Sequence, residues 1–152
     1  DTGPAAGALA YTCFAASMTV GRLLGDRVLD RLGHQRFLRF VPLLAVVGIV
    51  AGLAAGSPAA AFAGFGLAGL GLSGVNPTVI AAAGNQPGVP AGQAIATVAT
   101  ASWPAFLAGP PLVGAIAEAT SLRTGLLVVG VAAGAVSLLS ALVRVPGRDT
   151  DG

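Results

Sequence analysis

The sequence predicts an all-α bundle of transmembrane helices, and the distribution of charge is the main reason. Of 152 residues, 55% are hydrophobic and only 9% are charged, whereas about a quarter of the residues in a soluble domain carry charge. The run from 40 to 117 contains no charged residue. A soluble fold needs polar outer faces, but a hydrocarbon core about 30 Å thick requires about 20 apolar residues per helix. We therefore expect a polytopic membrane protein surrounded by the lipid bilayer.

The first predicted span runs from about 4 to 24, and small residues recur along one side of it. Cys13, Ser17, Gly21 and Gly25 follow one another at intervals of four, so they share a helix face. Helices in lipid associate by packing, and small side chains let a second backbone come close. We expect this face to contact another helix.

Charge is concentrated immediately after the first span. Five of the eight arginines lie between positions 21 and 39, and we interpret residues 25–36 as a loop between two spans. The second span, 37–56, is mostly Leu, Val and Ala and is expected to face lipid. It ends where Gly and Ser are followed by Pro58, a strong helix breaker.

The third predicted span, 59–84, carries two stripes of small residues and one proline. The stripes are Ala60, Gly64 and Ala68, and Gly69 with Ser73. Pro77 cannot donate a backbone hydrogen bond and displaces the carbonyl four residues earlier, so a kink is expected at Ser73. Non-ideal backbone at membrane depth is tolerated where it lines a cavity. We predict that Ser73, Asn76 and Thr78 line one, although Asn76 would equally suit a hydrogen bond to a neighbouring helix.

Two more spans, 93–117 and 123–143, follow a loop rich in proline and glycine. Three prolines make the fourth span deformable, and its Thr100 and Trp103 are predicted to line the same cavity as the third span. The fifth span spaces two glycines as GxxxG, a packing pattern of membrane helices. Residues 144–152 form a polar tail.

Five alternating spans place the arginine-rich segment and the tail on the same side of the membrane. The tail adds Arg144 and Arg148 to the arginines of the segment 25–36. Loops rich in arginine face the cytoplasm, so we expect both segments to be cytoplasmic in a multi-pass protein of the plasma membrane.

Two motifs resemble those of the major facilitator superfamily. Asp30, Arg31 and Gly33, followed by Arg36, are similar to the signature cytoplasmic loop D-R-x-G-x-x-R of that family, where Asp26 replaces the usual glycine. Further on, the sequence resembles the G-P-x-x-G-G helix-packing motif. The matching residues there are Gly109, Pro110 and Gly114, with Val113 in place of the first closing glycine.

The resemblance implies a secondary transporter that moves a small solute by alternating access. It assigns conformational gating to Asp26, Asp30, Arg31, Gly33 and Arg36. It also implies that the chain is part of a six-helix half, as helices eight to twelve of a transporter with twelve, and that an N-terminal half is its missing partner. A first residue other than Met favours such a truncated chain. The substrate is not implied.

The remaining chemistry points away from other classes of function. One histidine and one cysteine make neither a metal cluster nor a disulfide, and no cofactor or nucleic-acid partner is expected. Residues 71–74 read G-x-S-G, as in intramembrane serine proteases, but such enzymes need a later histidine as base, and none follows Ser73. We therefore expect no enzyme activity. A non-transporting membrane scaffold or an inactive remnant is the main alternative to a transporter.

Overall fold

A computed structural model describes residues 4–142, and every regular element in that range is an α-helix. The predicted all-α membrane bundle is confirmed. The five helices, in chain order, are α1 (Pro4–Ala55), α2 (Pro58–Leu72), α3 (Val75–Gly84), α4 (Ala91–Ala119) and α5 (Leu122–Leu142). The predicted tail, 144–152, lies outside the described residues.

Helix α1 contains both of the first two predicted spans, and it bends sharply at Gly33. This glycine has φ 74° and ψ 161°, a conformation that is essentially restricted to glycine. We call residues 4–32 the first arm and residues 34–55 the second arm. The predicted loop 25–36 is wrong in extent, because the backbone stays helical up to the bend. Arg and Leu are good helix formers, so charge alone did not end the helix.

Helix α2 lies between the two arms and contacts each through its own row of small residues. A Cβ on Gly64 would collide with the Gly48 carbonyl oxygen of the second arm, and one on Gly69 would collide with the Phe14 carbonyl oxygen of the first. The two stripes predicted for this segment therefore have two different partners. Close approach of this kind is how helices associate where burial from water contributes nothing.

The second arm is central to the bundle and is not a mainly lipid-facing helix, which corrects the expectation for the second span. One of its faces is buried, with Ala45 0% and Ile49 8% exposed, and these residues cluster with Ala68 of α2 and Ala133 of α5. Its opposite face, including Val47, remains exposed. Uniformly apolar composition did not reveal which face would be covered by α2 and α5.

The connection between α1 and α2 follows from local chemistry. Gly56 adopts φ 62° after the last turn of α1, and Ser57 then caps α2 by accepting a 3.3 Å hydrogen bond from the Ala60 N–H. Pro58 occupies the first turn, where no N–H is needed. The two helices are thus joined by a tight turn.

Three stretches of the described chain are long and apolar enough to cross a membrane. They are Ala5–Ala55, Pro58–Gly84 and Leu122–Ser140. The first contains both arms of α1, and the second contains α2 and α3 together. Helix α4 is long, with 29 residues, but its Thr, Ser and Pro residues keep it out of this group.

Candidate functional site

A cavity of about 570 Å³ lies between the first arm and the start of α3. Its apolar walls include Leu29, Phe37 and Ile80. Five residues with polar side chains also line it, and they are Arg22, Asp26, Ser73, Asn76 and Thr78. This is the candidate functional site, because it combines apolar walls with a few convergent polar groups.

The cavity forms where α2 gives way to α3, at the break that the proline predicts. Ser73 Oγ donates a 2.7 Å hydrogen bond to the Leu70 carbonyl, and the helix resumes when the Thr78 N–H donates to the Gly74 carbonyl at 3.1 Å. Pro77 has no N–H to offer the Ser73 carbonyl. Gly74 is required here for space, because a Cβ would collide with the Phe37 ring.

Thr78 brings a polar group to the cavity wall although its side chain is almost wholly enclosed. The residue is 2% exposed, and its hydroxyl has no hydrogen-bond partner among the described residues. Every fully enclosed side-chain nitrogen or oxygen in residues 5–140 does have a partner. The Thr78 oxygen is therefore not fully enclosed, and the residue lines the cavity.

Asn76 is exposed at the mouth of the same cavity. No side-chain hydrogen bond from it to another described residue occurs, so within residues 4–142 the alternative interpretation, a bond to a neighbouring helix, has no partner. Three of the five predicted cavity residues, Ser73, Asn76 and Thr78, thus come together.

The other two predicted cavity residues lie elsewhere, on α4. Thr100 lines a shallow groove on that helix together with Gln93 and Thr97, and Trp103 is 74% exposed. None of the residues described in α4 is buried. The chain therefore does not unite Thr100 and Trp103 with the cavity at α3.

Arg22 was not predicted as a cavity residue, and Asp26 was assigned only to gating. Asp26 is helical because the first arm is longer than expected, whereas Arg22 lies within the predicted span 4–24. They are four residues apart and so share one helix face, which lies beside the stripe through Gly21 and Gly25. Had the helix been extended beyond position 24, an opposite-charge pair beside a small-residue stripe would have indicated a polar wall.

The other predicted gating residues lie around the bend of α1. Asp30 and Arg31 end the first arm, Gly33 is the bend itself, and Arg36 begins the second arm. All of them are exposed, and no ion pair within 4.0 Å joins these charged side chains to another described residue. Their gating role stays a prediction.

The predicted helix-packing motif has no close neighbour in the described part of the chain. A Cβ on Gly109 or Gly114 would meet nothing within 4 Å, and Pro110 is exposed. The role of these three residues in packing stays a prediction.

The hydroxyl of Ser73 is occupied by its helical hydrogen bond to Leu70. The same side chain lies against Gly21 of the first arm, where a Cβ would collide with it. Within the described residues, no group of three or more His, Cys, Asp or Glu side chains could hold a metal ion. These contacts give Ser73 a structural role at the helix break.

Comparison with known proteins identifies the family. A match to the Major Facilitator Superfamily covers residues 1–151, so the chain belongs to this superfamily of membrane transporters. It is 39% identical over 145 residues to an uncharacterized MFS-type transporter of Yersinia pestis, covering 95% of this chain and 36% of that protein. It is 34% identical over 137 residues to an uncharacterized transporter of Sinorhizobium fredii, covering 90% of this chain and 36% of that one.

A further relative is the membrane protein MosC of Rhizobium meliloti, 36% identical over 121 residues, with 80% of this chain and 30% of that protein covered. No solved structure matches the chain. The chain thus spans about a third of the length of the relatives it matches. Two of these relatives are named transporters, and the third is named a membrane protein.

Proposed function

We propose that the chain is the C-terminal portion of a secondary transporter that moves a small solute across the plasma membrane by alternating access. The observation that carries this proposal is the polar cavity between the first arm and α3. It lies beside a broken helix in a bundle that is otherwise apolar, which is where transporters of this general kind place their solute sites. The complete protein would supply the N-terminal half as partner.

The glycine contacts around α2 support movement of the bundle as a unit. The Gly48–Gly64 and Phe14–Gly69 approaches bring backbone against backbone, and such interfaces resist gradual deformation because they are close-packed. A unit of this kind is suited to rocking against a second half. The first arm, α2 and the second arm would then move together. This movement would open the cavity toward one side of the membrane and close it toward the other.

The bend of α1 is suited to act as a latch between two states. Asp30 lies three residues before the bend, and Arg36 lies three residues after it. These exposed side chains can pair with the N-terminal half in one state and not in the other, and a contact present in only one state shifts the equilibrium between the states. In this proposal the latch side faces the cytoplasm, as the excess of arginines favours.

A scaffold or an inactive remnant is the alternative that must be separated from a transporter. The complete protein would be purified and reconstituted into liposomes loaded with an isotope-labelled extract of cytosolic metabolites, and solutes lost from the lumen would be identified by mass spectrometry. We expect at least one small solute to be depleted relative to protein-free liposomes. We also expect Asp30→Asn to change its rate of loss. A lumen that retains every solute would refute the transporter proposal.

A further inference from the structure

We infer that the cavity between the first arm and α3 binds the zwitterionic head of a small amino acid, with the carboxylate at Arg22 and the ammonium at Asp26. This inference rests on the proposed transport function and assigns a substrate class to the same cavity. It is carried by two opposite charges, Arg22 and Asp26, that line one cavity together with the polar side chains of Ser73, Asn76 and Thr78.

The carboxylate end is defined by donors from two elements. Arg22 contributes a guanidinium that matches a carboxylate with two parallel hydrogen bonds. Across the cavity α3 begins, and its N-cap Gly74 offers no side-chain acceptor to the N–H groups of the first turn. Uncapped N–H groups at a helix start attract anions. Asn76 adds an amide that can donate from the same turn.

Thr78 adds a hydroxyl to the lining of the cavity. The residue is 2% exposed, and its side chain makes no hydrogen bond to another described residue. This hydroxyl can donate or accept a hydrogen bond. A bound solute that reaches the base of the cavity would supply that bond.

The ammonium end is defined by acceptors. Asp26 lies one turn beyond Arg22 on the same face of the first arm, which separates their Cβ atoms by about 5–6 Å. The two side chains form no ion pair within 4.0 Å in the described residues, so both charges can meet a solute between them. Ser73 also lines the cavity, and Pro77 leaves its carbonyl without the usual helical donor.

A solute with only one charge would match only one of the two side chains, Arg22 or Asp26. An anion would be attracted by Arg22 but repelled by the Asp26 carboxylate. A cation would be attracted by Asp26 but repelled by Arg22. A zwitterion can place an opposite charge beside each of these two exposed side chains, whereas a singly charged solute leaves one of them beside a like charge. A small zwitterion therefore fits better than an organic acid, an amine or a neutral sugar.

The test measures binding to the complete transporter, purified in detergent, without any need for transport. The probes are glycine, L-alanine, L-serine, β-alanine and 4-aminobutyrate, and binding is read as a rise in the thermal unfolding midpoint. Two matched analogues each remove one charge from alanine: L-alaninamide lacks the carboxylate and L-lactate lacks the ammonium. We expect at least one zwitterion to stabilise the protein, and each analogue of alanine to bind about tenfold more weakly or worse.

Variants then connect binding to the named residues. Arg22→Gln, Asp26→Asn and Thr78→Val should each weaken binding of the stabilising zwitterion by about tenfold or more. Arg27→Gln is the matched control, because Arg27 is exposed on the same arm but does not line the cavity, and it should bind as the unmodified protein does. If a variant fails to fold, a second measurement uses Ala81→Cys, at an apolar part of the wall. The zwitterion should slow its reaction with a maleimide.

The outcomes separate this inference from the transport proposal. If no zwitterion in the panel stabilises the protein, or if lactate binds as well as alanine, the inference is overturned even if the liposomes lose another solute. If zwitterions bind in the cavity but no solute leaves the liposomes, the site is correct and the transport proposal fails.

Discussion

Gly48→Ala is the substitution whose effect on the bundle can be worked out most directly from the structure. A Cβ at this position would lie 2.6 Å from the Gly64 carbonyl oxygen and 2.7 Å from the Leu67 Cβ. The first of these is backbone, so no side-chain rotation can relieve the overlap. The second arm and α2 would have to separate by roughly 0.8 Å, and overpacking of this kind costs about 1–3 kcal/mol.

The measurement is the midpoint of unfolding, followed by circular dichroism of the purified chain in detergent as denaturant is added. Gly7→Ala is the matched control, because a Cβ there would meet nothing within 4 Å and alanine is the better helix former by about 1 kcal/mol. We expect Gly48→Ala to lower the midpoint and Gly7→Ala to leave it unchanged or raise it. If both variants unfold alike, the close approach of α2 to the second arm does not stabilise the bundle.

Three further predictions follow from the described residues. Gly33→Ala should destabilise the chain in the same unfolding assay by about 1–3 kcal/mol, since φ 74° with ψ 161° is a conformation alanine avoids; an unchanged midpoint would show that α1 need not bend there. Gly109→Leu should leave the stability of the isolated chain unchanged, because a Cβ at this position would meet no described atom within 4 Å. In the complete transporter it should reduce the loss of metabolites from liposomes; an unchanged loss would show that Gly109 has no role in helix packing. A fluorescent protein fused after Gly152 should be fluorescent in cells, as a cytoplasmic C-terminus requires, and a periplasmic phosphatase fused there should be inactive; the reverse pattern would invert the proposed orientation.

Sequence reasoning was most successful where local chemistry decides the backbone. The break at Ser73 and Gly74 follows from a missing N–H at Pro77, and the turn before Pro58 follows from Gly, Ser and Pro in succession. Both can be deduced without knowledge of any distant residue. The glycine stripes of α2 were visible for the same reason, although their two different partners were not.

Reasoning from the sequence failed where tertiary contacts decide. The second arm has no polar face to distinguish lipid from protein, and its buried side is set by glycines on α2 and by Ala133 on α5. Arg22 was missed as a cavity residue because nothing within the first span indicates that this side chain lies near the start of α3. The separation of Thr100 and Trp103 from the cavity depends on where α4 lies, and no pattern within α4 specifies that.

The proposal that the cavity opens alternately to the two sides of the membrane is tested most directly by labelling a cysteine placed at its mouth. Asn76→Cys would be introduced into the complete transporter with its native cysteines, Cys13 included, replaced by serine. A membrane-impermeant maleimide would then be applied to intact cells and to inside-out vesicles. Ser57→Cys and Val89→Cys lie in exposed turns at opposite ends of the α2–α3 segment. In the proposed orientation they would mark the outer and cytoplasmic sides respectively.

We expect Cys at position 76 to react from both sides, whereas each marker position reacts from one side alone. Asp30→Asn should shift the two rates at position 76 in opposite directions, because a latch that holds one state favours access from one side. Reaction at position 76 from a single side, at a rate that Asp30→Asn does not alter, would contradict alternating access through this cavity.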